Sequence, residues 1–453
     1  MAIIPQRSLF SWREIDAASD LERLKLVLWV LPDEEFMGHL EARRGKGRND
    51  YPVRAMWNAL IAGVVFQHRS AAELLRELRR NRELAELCGF DPLRGAEGIP
   101  TEAAFSRFLK VVVEHREWIE GMFDKVLLEL GRALPELGKE LALDSEGVKS
   151  YGKPVRDERK RRKRDGRREL DADHGVKRYE GAGEDGRTWR KVVRWFGFKV
   201  HLLVDAKYEM PLAFEVTRAS RSDVKEGERL MRKYKSRHPE LVERGEVLSA
   251  DRGYDSGKFK AELYDVYGIK PVIDHRMMWR EERTRPVNEK RVDSFVYGEN
   301  GEVCCVCPLS GKMRKMAFMG FEKDRKALKY RCPAAARGYQ CAGRAICESG
   351  RKVGKLGRVI RIRLDRDRRI FTPIARHTNT WKRIYKSRSA VERVFSRLDR
   401  VFKLDDHTIR GKAKMQMRVG LSFLVLVCMA LAKVRANQVE QMRSITKPLR
   451  KAA

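Results

Sequence analysis

Two short stretches of the chain end an apolar run on a carboxylate. In VLSADRGYDS, residues 247 to 256, Val247, Leu248 and Ala250 read as a buried strand that delivers Asp251 to its end, followed at once by Arg252, Gly253 and Tyr254. In ELALDSEGVKS, residues 140 to 150, Leu141, Ala142 and Leu143 do the same for Asp144. One such acid suits a turn at a strand end, where a carboxylate beside a core needs a partner or a task. Two suggest a shared site, because carboxylates at adjacent strand ends can hold divalent cations such as Mg²⁺, which prefers oxygen ligands. Gly253 lets the chain turn sharply beside Asp251, and Asp255 reads as the cap of the following helix.

A third acid lies far downstream in WKRIYKSRSAVERVFSRLDRVFK, residues 381 to 403. At about 100° per residue, Val391, Val394, Phe395, Leu398, Val401 and Phe402 form an apolar stripe with Glu392 at its margin. Tyr385 and Arg388 precede Glu392 on the same face. A solvated amphipathic helix explains the charges, but not this alignment at the edge of a core.

The elements that must position these acids form a mixed pattern. GFKVHLLVDAKYEMPLAFEVTRA (197 to 219) reads as two strands joined by a turn, with His201 a strand histidine and not a ligand. SDVKEGERLMRKYKSR (222 to 237) reads as a helix; the Asp251 strand, a helix from Ser256 to Tyr267 and the strand IKPVID (269 to 274) follow. With the Asp144 strand in front, the order is strand, strand, strand, helix, strand, helix, strand. Between them, RDERKRRKRDGRR (156 to 168) carries nine basic residues in thirteen and suits a solvated linker or a phosphate-binding arm.

The first 135 residues read as helical. YPVRAMWNALIAGVVFQ (51 to 67), a helix from Ser70 closing near Gly89, and IPTEAAFSRFLKVVVEH (99 to 115) with Thr101 as N-cap all show helical spacing. Such a basic helical unit suits DNA docking, although the same charges could merely solvate helix faces.

Composition agrees with a polyanionic partner. The 453 residues include 97 Lys plus Arg against 64 Asp plus Glu, a formal charge of +33 and a pI of about 10.0. A surplus of that size favours nucleic acid, where phosphate neutralisation releases counterions. LSFLVLVCMALA, Leu421 to Ala432, is too short to span a bilayer and suits a buried helix, so the expectation is a soluble, cytoplasmic, nucleoid-associated protein without a membrane partner.

Asp144 after a first strand, Asp251 in ADRGYDS, and Tyr385, Arg388 and Glu392 spaced as Y-x2-R-x3-E closely resemble the DDE transposases of bacterial insertion sequences. The N-terminal YPVRAMWNALIAGVVFQHRSAAELLREL and PTEAAFSRFLK resemble that family's helical domain, so the likeness covers nearly the whole chain. It implies an α/β fold: an RNase H-like mixed sheet with flanking helices, an all-helical N-terminal domain before it and a Cys-rich β-type insertion within it. The expected units are a DNA-binding domain at 1–135, catalytic parts at 136–275 and 376–435, the insertion at 276–375 and a basic tail at 436–453.

The same resemblance implies Asp144, Asp251 and Glu392 as ligands of two Mg²⁺ (or Mn²⁺) ions about 4 Å apart. It implies cutting at the element's terminal inverted repeats, then attack by the freed 3′-hydroxyl on target DNA, with a homodimer holding two ends. Tyr385 and Arg388 would contact DNA. Where the family pattern places a Lys seven positions after the Glu, this chain has Asp399; Arg400 and Lys403 are the nearby bases, and Lys403 returns to nearly the same helical face while Arg400 is rotated by about 80°. A non-catalytic DNA-binding descendant is the competing function, and a simple RNase H-like nuclease leaves the large N-terminal domain unexplained.

Of the eight cysteines, Cys88 and Cys428 read as core. The other six lie in the insertion. A structural Zn²⁺ at Cys304, Cys307, Cys332, Cys341 and Cys347 is one reading, and free thiols or an iron–sulfur cluster are the others.

Overall fold

The computed structural model describes residues 19–46, 50–155, 168–182, 187–279, 284–288, 295–349 and 353–447. All of the basic run at 156–168 except Arg168 lies outside the described residues. The described residues open with helices α1 (Ser19–Val30), α2 (Glu34–Arg44), α3 (Val53–Val65), α4 (Ala71–Arg80), α5 (Arg82–Cys88), α6 (Glu102–Glu114) and α7 (Glu117–Ala133). The expected caps are in place: Ser70 accepts from the Glu73 amide and Thr101 from the Ala104 amide, both at 3.2 Å. The single helix expected from Ser70 to Gly89 is instead two. Asn81 ends α4 and caps α5, its side chain accepting from the Leu84 amide at 3.0 Å, while Gly89 closes α5 at φ +100°.

A six-stranded sheet follows. Its strands are β1 (Glu140–Lys149), β2 (Asp173–Ala182), β3 (Thr188–Asp205), β4 (Met210–Arg218), β5 (Val247–Ala250) and β6 (Lys270–Ile273), with helices α8 (Asp223–Arg237) and α9 (Gly257–Asp265) in the crossovers. Across the main sheet the order is β4-β3-β1-β5-β6. The first three strands are antiparallel and the last three parallel, which is an RNase H-like arrangement.

Two features depart from the sequence reading. β3 begins at Thr188, not near residue 197, and its first half pairs with β2 to extend a two-stranded arm beyond the sheet. Residues 188–194 of the arm are exposed, so no hydrophobic alternation announced it. β1 also runs on to Lys149, because β3 covers its other edge as far as Lys149 opposite Gly197. Asp144 is therefore inside a strand, at the point where the parallel partner β5 stops.

Downstream lie α10 (Asn379–Lys386), α11 (Ser389–Arg400) and α12 (Lys412–Arg435). The helix expected over residues 381–403 is broken at Ser387 and Arg388. There the Ser387 and Ser389 hydroxyls donate to the Ile384 and Lys386 carbonyls, at 2.6 and 3.0 Å, competing with the helical backbone ladder. α12 is long and apolar enough to cross a membrane by length and composition, yet 89% of its most apolar stretch is buried, against α7, α1 and β4. Its side chains join the N-terminal helices and the sheet into one continuous hydrophobic core, which also takes in Cys88, Cys428, Met442 and Ile445. The stretch after α12 is thus docked on the body through at least Ile445.

The insertion builds a four-stranded and a three-stranded sheet around a second core that includes Phe295, Tyr297, Leu328, Tyr330 and Phe371. One tie to the body runs through Asp255, beside the pairs of Arg368 and Lys326 with Asp265. Expected to cap α9, Asp255 instead accepts from buried Lys260 at 2.6 Å and from Arg369 of the insertion at 2.8 Å; Ser256 supplies the cap.

Candidate active site

The parallel register of β1 and β5 sets the two aspartates side by side. Leu143 pairs with Ala250, and the next residue on each strand is Asp144 and Asp251. Each is fixed by a local backbone amide: Ser145 donates to Asp144 at 2.7 Å and Gly253 to Asp251 at 2.8 Å. Gly253 matters here because a Cβ at that position would stand 2.7 Å from the Asp251 carboxylate.

Both aspartates line a cavity of about 1040 Å³ that also takes in Glu392, Arg388 and Arg400. Burial raises the Asp144 pKa, and the negative charge of Asp251 adds to it. Burial likewise raises that of Asp251, with a further contribution from the charge of Asp223. α11 carries Glu392 to the opposite wall, with its side chain 54% exposed. Arg388 spans the gap, donating to Asp144 at 3.3 Å and to Glu392 at 2.7 Å.

Of the other residues singled out from sequence, Tyr385 stacks on Trp381 with ring centroids 4.7 Å apart and has the Arg388 guanidinium 5.8 Å from its centroid. Arg400 lines the cavity. The helical-face argument for Lys403 does not hold, because α11 ends at Arg400 and Lys403 sits in a turn at φ +53°. Asp399 also faces the cavity, where burial and the charges of Glu146 and Asp405 push its pKa up to about 7.

Sequence reasoning missed three contributors. Asp223, at the start of α8, is a further carboxylate on the cavity wall; it accepts from the Ser145 hydroxyl at 2.7 Å and from Lys199 at 2.9 Å. Lys177, from the β2 arm, reaches the cavity and donates to the Ser145 carbonyl at 3.1 Å. Glu146 follows two residues after Asp144 on the same strand face. In sequence, Asp223 stands at the start of the helix expected over residues 222 to 237, where an acid carries no signal beyond that of a helix end. His201 is the strand histidine expected: it is buried, bonded to Thr217 at 2.9 Å, and burial lowers its pKa to about 4.

The donor set suits a hard divalent cation, since the carboxylates of Asp144 and Asp251 crowd negative charge that an oxygen-preferring ion would offset. Among the described residues no three His, Cys, Asp or Glu side chains converge tightly enough to enclose an ion, Glu392 being drawn to Arg388. The same holds for the cysteines. Cys305, not Cys304, faces Cys332, Cys341 and Cys347 and feels their charges, whereas Cys304 lies by Glu302 and Lys315. Strand alternation sends the adjacent thiols to opposite sides. Cys307 is held by Ser310 and the amides of Leu309 and Gly343, which lower its pKa to about 7.

The sheet and its carboxylate cavity have the architecture of RNase H-like nucleases and transferases. The transposase DDE domain family matches residues 138–428, and the transposase domain family DUF772 matches residues 3–111. No curated protein and no solved structure matches the chain. The chain belongs to the DDE transposase family, and DNA transposition is its general function.

Proposed function

We propose that the chain is a divalent-metal-dependent transposase that binds the terminal inverted repeats of its element, hydrolyses a DNA strand at each end and transfers the freed 3′-hydroxyl to target DNA. The observation that carries this reading is the register of Asp144 with Asp251 in one cavity that also holds Glu392 and Arg388. Asp144, Asp251 and Glu392 would hold Mg²⁺ or Mn²⁺. When bound, the metal supplies Lewis acidity at the scissile phosphate and lowers the pKa of the attacking water.

The chain's own residues do the positioning. Asp144 and Asp251 are locked by the Ser145 and Gly253 amides, so the site is preorganised on rigid strands. In the first step water attacks phosphorus and the 3′-oxygen leaves with a proton; in the second that 3′-hydroxyl attacks a target phosphodiester and a target 3′-oxygen leaves. Arg388 would neutralise phosphate charge during both, and Tyr385, stiffened by its stack on Trp381, would contact the DNA end. Arg400 and Lys177 add positive charge to the cavity wall. The overall +33 charge supports a long DNA track, and a homodimer would bring two ends together. Nicking of a duplex carrying the DNA that flanks the coding region tests the proposal. Metal-dependent cuts at the element boundary support it, while tight binding without cleavage favours a non-catalytic DNA-binding protein.

A further inference from the structure

A second cavity, of about 570 Å³, lies between α3, α4 and α6 on one side and α12 with the segment before it on the other. That volume falls in the range of sites that enclose small ligands, about 300–1,000 Å³. Its floor is apolar, formed by Leu60, Leu74, Phe105, Leu109, Met417 and Leu421. Its rim is cationic. Lys110 and Lys414 are exposed there, and the Arg410 guanidinium lies 5.1 Å from the centroid of half-exposed Tyr151.

The second observation is Arg418. It lies deep in this cavity and donates only to the backbone carbonyls of Phe402, at 2.9 Å, and His68, at 3.5 Å. Burial lowers its pKa to about 10, with no opposing carboxylate contribution. Among the described residues no acid pairs with Arg418, Lys110 or Lys414. A desolvated guanidinium without a counter-charge is costly, and an anionic ligand in the cavity would offset that cost.

We infer that this cavity receives one unpaired nucleotide of the bound DNA, its base on the apolar floor and its phosphates on Lys110, Lys414 and Arg418. The ligand must combine a flat apolar face with negative charge, and a nucleotide does so; Tyr151 at the mouth offers a stacking surface. The position fits, because Asp405 lines the active-site cavity and Thr408 to Arg410 line this one, so one segment of chain separates the two. The inference rests on the reading that the chain works on DNA ends.

The test compares fluorescence anisotropy of two labelled duplexes carrying the flanking DNA, one blunt and one with a short single-stranded overhang, on the full-length protein. Wild type is expected to bind the overhang form about tenfold tighter, the scale of one stacked base. Leu109→Trp fills the cavity without changing charge, and should erase that preference while leaving blunt-duplex affinity unchanged. Lys414→Glu, at the exposed rim, is a second variant should Leu109→Trp fail to fold, and should weaken the overhang form more than the blunt one. Equal affinity of wild type for both duplexes, or a preference that survives both substitutions, overturns the pocket. Failure of wild type to bind either duplex overturns the DNA reading beneath it, and the pocket with it.

Discussion

Asp144 and Asp251 leave a shared parallel pairing in step: Leu143 opposes Ala250, and each strand then presents its aspartate to the same cavity. Burial makes each carboxylate hard to ionise, and the charge of Asp251 adds to this at Asp144 and that of Asp223 at Asp251, which is a cost in stability that a bound cation would remove.

Asp144→Asn should therefore stabilise the metal-free protein, by on the order of 1 kcal/mol, while abolishing cleavage. Thermal melts with and without Mg²⁺ check this. Mg²⁺ should raise the melting temperature of wild type and leave that of the variant nearly unmoved, and a variant that melts lower than wild type without metal would count against the crowded-charge account.

Arg388→Ala should depress strand transfer far more than folding. Its link to Glu392 is a half-exposed pair within one turn, worth well under about 1 kcal/mol, whereas its place between Asp144 and Glu392 is central to the cavity. Separate assays of strand transfer, DNA binding and melting temperature distinguish the two effects.

Asp399 stands where the resemblance leads one to expect a lysine, and it faces Glu146 and Asp405. Asp399→Lys should relieve that repulsion and add a phosphate contact, raising DNA affinity at low salt and steepening the salt dependence by about one unit of log–log slope. Binding titrations across ionic strength read the slope directly.

Asp255→Asn should destabilise the protein by about 3–5 kcal/mol, since Lys260 and Arg369 would keep buried positive charge without their partner. Despite burial, Lys260 and His275 hold the Asp255 carboxyl far below the usual range. A depressed carboxylate contributes stability that is present above its unfolded pKa and lost as pH falls from about 4. Wild type should thus lose stability on acidification through this group, and Asp255→Asn should show a shallower acid limb in denaturant titrations.

The aspartates were legible because each follows a run of buried aliphatic residues, and the helix with Glu392 because its apolar stripe is periodic. The order of strands and helices leading to a mixed sheet was legible too, while the parallel pairing of β1, β5 and β6 is given by the structure. The two-stranded arm was not legible: residues 188–194 bury nothing, so the alternation that betrays a strand is absent, and Lys177 was hidden with it. Asp223 was hidden at a helix start because its role depends on Ser145 and Lys199, on other strands. The break at Ser387 and the end of the helix at Arg400 come from serine hydroxyls and a turn that periodicity does not encode, and they move Lys403 off the face that counting residues assigned to it. Asp255 likewise sits on a sequence position that suits a cap, and only tertiary burial of Lys260 makes it an ion-pair centre.

The most direct test of the central claim is Mg²⁺-dependent nicking of a labelled duplex carrying the DNA that flanks the coding region, with wild type beside Glu392→Gln. The account predicts cleavage at the element boundary by wild type and a loss of at least about a thousandfold in the variant, with DNA affinity retained. Equal cleavage by both proteins, or binding by both with no cleavage in either Mg²⁺ or Mn²⁺, would contradict it.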